Sequence, residues 1–413
     1  MNIVKLSWKN IISSPLNTAL SLLLMTLGVG IISLIFLLNN QIKQQLQSNL
    51  KGIDAVVGSK GSPLQLILSS VYHIDNPTGN IPYKEAVKIE NNPLVEQTIP
   101  LSFGDSYNGV RIVGTTRQYL DLYEAELSKG RLWEKSLEVT VGSGVAKAHK
   151  IKVGDTFYGS HGLVEGGHVH DDYPYSVVGI LKPTLSVIDQ LILTNTESVW
   201  LVHNHQKVTH EEVNDKNNNK LSSEKSSTLD ISEDEMITSL LIKFKSPIGI
   251  IQVPRKINET TNLQAAMPAL EISRLTRLLG FGVQTINTIA LIIIIVSGLS
   301  IFISLYNSLK KRRFDLALMR VHGATRLQLV QLVIQEGLIL SFIGTIFGLL
   351  ISRTIIFVLT LVLSEHALGI FEYELLVQEL WLFPLAVFVG LLASIIPTIS
   401  TYNINIPKLL SNE

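Results

Sequence analysis

The densest group of side chains with ligand chemistry in this 413-residue sequence lies in the run SHGLVEGGHVHDDYPY, which carries His161, His168, His170, Asp171 and Asp172. Neutral imidazoles and carboxylates are ligands for a zinc-like ion, and a glycine-containing loop can bring several of them together. His203, His205 and His210 follow further along and could join them. The competing reading is a solvated surface loop, because HxH recurs by chance and no HExxH helical spacing is present. Other chemistries are excluded more firmly. The chain has no cysteine, which removes disulfides, iron–sulfur ligation and thiol catalysis. It has no GxSxG elbow and no GxxxxGK[ST] phosphate loop, so it offers no serine-hydrolase site and no P-loop route to ATP hydrolysis. Apart from a zinc-like ion at the histidine loop, no bound cofactor and no catalytic residue is expected.

The elements that must position these residues follow from the charges. Lys and Arg number 34 and Asp and Glu number 34, giving zero net charge and no reason to expect nucleic acid as a partner. Charged residues make up only 16% of the chain, against about 25% in ordinary soluble domains. They are unevenly placed. No charged side chain lies between Lys9 and Lys43 or across Leu278–Leu309. Leu338–Leu363 is interrupted by Arg353 alone, and Trp381–Ile406 has none. Each gap exceeds the roughly 20 apolar residues that cross a bilayer. The first has too long an apolar core, and no small-x-small cleavage site, for a signal peptide, so a retained helix is expected. Lys5, Lys9, the cluster Lys310–Arg313 with Arg320 and Arg326, and Lys408 put both termini and the basic loop in the cytoplasm by the positive-inside rule. Glu365, Glu372, Glu374 and Glu379 mark the opposite side.

The expected fold is a membrane protein with four transmembrane α-helices and a large α+β extracytoplasmic domain between the first and second. The boundaries are a cytoplasmic tail 1–15, helices at 16–39, 278–309, 327–358 and 380–402, and the outer domain at 40–277. A cytoplasmic elbow takes 310–326, a short outer loop 359–379 and a tail 403–413. Within the outer domain, strands are expected at Asp54–Gly58, Val110–Gly114, Glu138–Gly142, Tyr175–Leu181, Gln190–Leu193 and Ser239–Phe244, and helices at Tyr83–Glu90 and Thr196–His203. The stretch 206–235 is poor in apolar anchors and is expected to be a mobile insert.

The elbow carries the most specific pattern, SLYNSLKKRRFDLALMRVHGATRLQLVQLVIQEGLILSFIGTIFG. The second apolar helix should run on through Lys310–Arg313. Gly323 should end it in a left-handed C′ conformation, and Thr325 should cap the next helix. Phe314, Leu316, Leu318 and Met319 set apolar contacts among the basic residues, a surface suited to a cytoplasmic partner. Basic charge serving only topology would explain the Lys and Arg equally well.

This stretch resembles the permease subunits of MacB/FtsX-like ABC transporters, through Ser304–Asn307, Arg312–Arg313, Asp315–Ala317, Arg320, Gly323–Arg326, Glu336–Gly337 and Gly344/Gly348. KNIISSPLNTALSLLLMTLGVGI resembles the family's first helix, with Asn17 where an Arg is usual before Thr18. GTTRQYLDLYEAELSKGRLW, YSVVGIL and LQAAMPALEISRLTRLLG resemble the MacB-type periplasmic core domain. The resemblance implies a multi-pass protein of the bacterial cytoplasmic membrane that does no hydrolysis itself. Two copies of a cytoplasmic ABC ATPase subunit would bind ATP and Mg, and a second permease copy would complete the dimer. A periplasmic partner protein would also fit. Because about 15 residues precede the first helix here, the ATPase is expected to be another polypeptide. The resemblance places ATPase docking and coupling on Arg312, Arg313, Asp315, Arg320, Gly323, Ala324 and Thr325. The alternative function is a membrane-anchored, metal-binding sensor or scaffold without transport.

Two features stay open at this level. Glu336 and Arg353 are either functional intramembrane charges or side chains snorkelling to an interface. Gly344 and Gly348 permit close helix packing, either within the four-helix unit or between copies.

Overall fold

The computed structural model describes residues 3–161, 169–202, 235–363 and 375–402. It comprises two compact units, one of Met1–Lys43, Leu278–Val362 and Phe371–Glu413, the other of Gln44–Arg277 and Leu363–Ile370. The chain opens with two helices, α1 (Ile3–Ile12) and α2 (Pro15–Ser48). The expected N-terminal tail is therefore largely helical, and Pro15 starts α2 where a missing N–H costs nothing.

The soluble unit contains β1 (Ala55–Ser59), α3 (Pro63–Ser70), β2 (Ile81–Pro82), α4 (Tyr83–Glu90), β3 (Val95–Tyr107), β4 (Val110–Thr115) and α5 (Gln118–Leu122). It continues with β5 (Leu127–Gly130), β6 (Glu138–Val141), α6 (Ser143–Ala148), β7 (Thr156–His161), β8 (Val169–Leu181), β9 (Ile192–Asn195) and α7 (196–202). After residues outside the described set come β10 (Met236–Ile237), β11 (Ser239–Phe244), α8 (Pro247–Thr260) and β12 (Leu263–Ala266). Ten strands form one mixed sheet in the order β12-β1-β11-β3-β4-β9-β6-β8-β5, with β7 pairing both β3 and β8. Those last pairings close a ring of β3, β4, β9, β6, β8 and β7. Alternation along the strands separates the cores. Ile112, Val141, Phe157, Tyr175, Val177 and Ile192 share one cluster. Their neighbours Val113 and Leu193 belong to another, with Val56, Leu66, Ile67 and Leu241. Ala55, Val57 and Ile242 face a third, covered by Val253 and Ile257 of α8.

The remaining helices are α9 (Pro268–Lys311), α10 (Arg313–Val321), α11 (Arg326–Leu363) and α12 (Leu382–Tyr402). Pro15–Ser48, Pro268–Lys311, Arg326–Leu361 and Val377–Ile399 are long and apolar enough to cross a membrane. Their outward faces carry large apolar side chains such as Ile292, Ile295, Leu299, Phe357 and Leu361, a surface that water does not tolerate and lipid does. Close packing in the helical unit rests on glycine. A Cβ on Gly348 would lie 2.8 Å from Val29 Cβ and 3.0 Å from the Gly30 backbone nitrogen, and one on Gly344 would lie 2.7 Å from Met25 Cβ. The two glycines of α11 thus take up α2 of the same chain, which accounts for their spacing without a second copy.

Of the expected insert, residues 206–234 lie outside the described set, as do His168, His203, His205 and His210.

Candidate coupling site

The elbow forms because Arg312 leaves helical geometry, at φ −107° and ψ 18°, between α9 and α10. Its guanidinium turns inward, and Nη2 donates to the Asn10 carbonyl of α1 at 3.0 Å. Asn10 in turn donates through Nδ2 to Glu336 Oε1 of α11 at 2.6 Å, and Glu336 is buried. One asparagine therefore ties α1 to both arms of the elbow. Ser7, fully buried, adds a bond to the Leu332 carbonyl at 3.4 Å. Glu336 is thus a hydrogen-bonded core carboxylate, in place of a snorkelling one.

The far end of α10 is closed by its backbone. Gly323 has φ 96°, its N–H reaches the Arg320 carbonyl at 3.1 Å, and Ala324 N–H reaches the Met319 carbonyl at 3.0 Å. That is the Schellman pattern, and it requires a left-handed residue at the glycine position. Thr325 then starts α11 with a reciprocal box. Its Oγ1 accepts from Gln328 N–H at 3.2 Å, while its own N–H donates to Gln328 Oε1 at 2.9 Å. Gly323 and Thr325 make the left-handed turn and the cap expected of them, but Gly323 ends the separate helix α10, because the second apolar helix breaks at Arg312 instead of running on through Arg313.

Between the break at Arg312 and the turn at Gly323, α10 has two apolar faces. Leu316 and Ala317 are buried, and Leu316 packs with Leu329, Leu332, Ile3, Leu6, Leu309 and Met319. Phe314, Leu318 and Val321 stand on the other side, 48%, 43% and 61% exposed. Spacings of four and three place them in one stripe, and Leu327 at the start of α11 is also exposed. Asp315 is exposed in the first turn and Arg320 half-buried in the last, each at the helix end whose dipole favours its charge. Arg313 opens α10. Val321, Leu327 and the inward anchors Ser7 and Asn10 escaped the sequence reading. Extending the periodicity from Phe314 would have found Val321.

A second polar cluster lies elsewhere in the helical unit. Arg353 of α11 is bidentate on Glu379, at 2.6 Å to Oε1 and 2.5 Å to Oε2. Glu379 is completely buried. Ser33 of α2 donates to Glu379 Oε1 at 2.5 Å and lies 2.7 Å from Ser352 Oγ. Arg353 is therefore an internal partner and does not snorkel.

Residues 18–258 match the family described as MacB-like periplasmic core domain, and residues 287–406 match the FtsX-like permease C-terminal. The chain belongs to the MacB/FtsX-like family of ABC transporter permeases. Among solved structures, the periplasmic region of MacB from Actinobacillus actinomycetemcomitans is similar at 12% identity and a TM-score of 0.33, covering 56% of this chain and 98% of that one. The extracellular domain of the noncanonic ABC-type transporter YknZ from Gram-positive bacteria is similar at 13% identity and a TM-score of 0.29, covering 52% and 98%. No curated protein matches the chain. MacB/FtsX-like permeases are membrane subunits that work with cytoplasmic ABC ATPase partners, generally as dimers.

The histidine loop is a separate matter. The pairing Ser160↔Val169 sets the end of β7 at His161 opposite the start of β8, where His170, Asp171 and Asp172 follow. Among the described residues, no group of three or more His, Asp or Glu side chains stands together as a metal site.

Proposed function

We propose that this permease couples ATP hydrolysis by a separate cytoplasmic ATPase to conformational work in the periplasm, such as export, substrate extraction or activation of a periplasmic partner. Both termini and the elbow lie in the cytoplasm, where the Lys and Arg excess of the flanks puts them. The observation that carries the reading is α10: a helix set off by the break at Arg312 and the turn at Gly323, packed through Leu316, and presenting Phe314, Leu318 and Val321 outward. An apolar stripe bordered by charge suits the centre of a protein interface. The arms to which it is tied are helices of membrane-crossing length, so displacement of α10 moves them. Arg312 and Ala324 hold this surface in shape, while Asp315, Arg320 and Thr325 border it. Two permease copies, each meeting one ATPase subunit, complete the assembly.

Leu318→Glu tests the surface, since the side chain is exposed and the fold does not depend on it. Co-purification with the ATPase and stimulation of its activity should fall by a factor of about 30 or more, the loss typical of an interface hot spot. Undiminished stimulation by Leu318→Glu and by Phe314→Glu would remove α10 from the docking role.

A zinc-like ion at the histidine loop, held by His161, His168, His170, Asp171 and Asp172, is a second proposal, and it rests on the residue types and their closeness in the sequence. Calorimetric titration of zinc into the full-length protein should show a site that is lost in His168→Ala/His170→Ala. Absence of any zinc-dependent heat sinks the metal reading and leaves the coupling reading intact.

A further inference from the structure

The soluble unit contains a cavity of about 960 Å³ that the coupling role does not use. Four segments build it, one of them the turn that supplies Val187, Gln190 and Leu191. The β3–β4 hairpin supplies one wall through Asn108 and Gly109, whose φ values of 49° and 79° are those of a type I′ turn, and through Val110 and Arg111 beyond it. Helix α6 supplies Lys147, followed by His149 and Lys150. The segment after α3 supplies Tyr72 and His73.

The charge on these walls has one sign. None of the 16 lining residues is Asp or Glu, while Arg111, Lys147 and Lys150 are cations. Lys147 and Lys150 are exposed at the rim and make no ion pair among the described residues. Arg111 is 6% exposed. It donates through Nη2 to the Asp75 carbonyl at 2.7 Å and lies over the Phe103 ring at 4.7 Å. Its Nε is buried with no hydrogen-bond partner. His73 Nε2 lies 2.8 Å from Tyr119 Oη, and its Nδ1 is likewise buried without a partner. His73 sits at φ 53°, a conformation uncommon for a side chain other than glycine. A buried guanidinium that no carboxylate hydrogen-bonds, with Asp75 acting on it through its field alone, costs stability, and such an arrangement recurs where a ligand supplies the missing contact. Burial lowers the Arg111 pKa as well. Ile74, Val110, Val145 and Leu191 give the lining an apolar part beside its polar one, and the volume falls in the range of small-molecule sites.

We infer that this cavity binds an anionic amphiphile, with a phosphate- or carboxylate-type head between Arg111, Lys147 and Lys150 and an apolar body against Ile74, Val110, Val145 and Leu191. The site is independent of ATPase docking. Its ligand would be either a molecule the permease handles or one that reports on the periplasm to it.

The test uses full-length protein in nanodiscs of zwitterionic lipid, titrated calorimetrically with 1-naphthyl phosphate, inorganic phosphate and 1-naphthol. Saturable binding of 1-naphthyl phosphate is expected. It should weaken at least about tenfold in Arg111→Met, as loss of a charge-assisted hydrogen bond requires. Lys147→Glu/Lys150→Glu should weaken it similarly, and because both lysines are exposed this variant keeps the test valid if Arg111→Met misfolds. Inorganic phosphate and 1-naphthol should each bind more weakly than the combined probe. Equal affinity for wild type and the lysine variant, or 1-naphthol binding as tightly as its phosphate, overturns the anionic site. Inorganic phosphate binding as tightly as the naphthyl ester overturns the amphiphile assignment. Loss of ATPase stimulation in the α10 variants has no bearing on any of these outcomes.

Discussion

Two inward-turned arginines of this protein are held in opposite ways. In the helical unit Arg353 spends both terminal nitrogens on Glu379, and Ser33 and Ser352 occupy what remains. In the soluble unit Arg111 has one backbone carbonyl, an aromatic face and an unpartnered Nε beside an open cavity. The first is a closed arrangement, in which the charge is cancelled by a completely buried carboxylate. The second leaves charge available. Burial alone therefore does not tell a structural ion pair from a prospective binding group, whereas the completeness of the hydrogen bonding does.

The largest effect should come from opening the closed pair. Glu379→Ala leaves the Arg353 charge uncompensated and should cost roughly 3–5 kcal/mol of stability, as is typical of breaking a buried ion pair. Arg353→Met/Glu379→Leu, which removes both charges, should recover most of that loss. Thermal unfolding in detergent distinguishes the two, and equal destabilisation by both would mean that the pair is not a self-contained unit.

A smaller effect belongs to the open region. Burial, and then the neighbouring Arg111 charge, lower the His73 pKa from 6.5 to about 3. The unfolded chain therefore takes up the proton first as pH falls. The stability contributed by neutral His73 is complete above pH 6.5 and is lost progressively from 6.5 towards 3. The loss should approach, at most, about 1.4 kcal/mol per pH unit. His73→Asn, which tolerates the positive φ, should flatten this dependence in denaturant titrations between pH 6.5 and 4.5. An unchanged slope would assign the acid sensitivity to other groups.

Much of the helical unit was legible because its physics is local. A long run of apolar residues without charge is apolar in any context, and the four helices of membrane-crossing length among the described residues overlap the gaps read from the sequence. Gly323 and Thr325 were readable for the same reason, since a Schellman turn and a capping box involve residues within five positions. In the soluble unit, β11 and α4 fall where expected, whereas β3, at the junction between the ring and the rest of the sheet, went unread. Pro100 and Gly104 interrupt its pattern, and the strand survives because Pro100 still offers its carbonyl, taken by Thr115 Oγ1 at 2.9 Å.

What the sequence determined by itself was the number of apolar spans, the sign of the charge at their ends, the absence of thiol and P-loop chemistry, and the two closures of the elbow. Each depends on composition or on neighbours along the chain. Only the tertiary structure decided which polar residues look inward. Asn10 and Glu336 are 326 positions apart and Ser33 and Glu379 are 346 apart, separations at which spacing carries no signal. It also decided the rotation of α10, turning Leu316 inward and Leu318 outward. A nine-residue helix with apolar residues on both faces takes its register from what packs against it, and here those partners come from α1, α9 and α11.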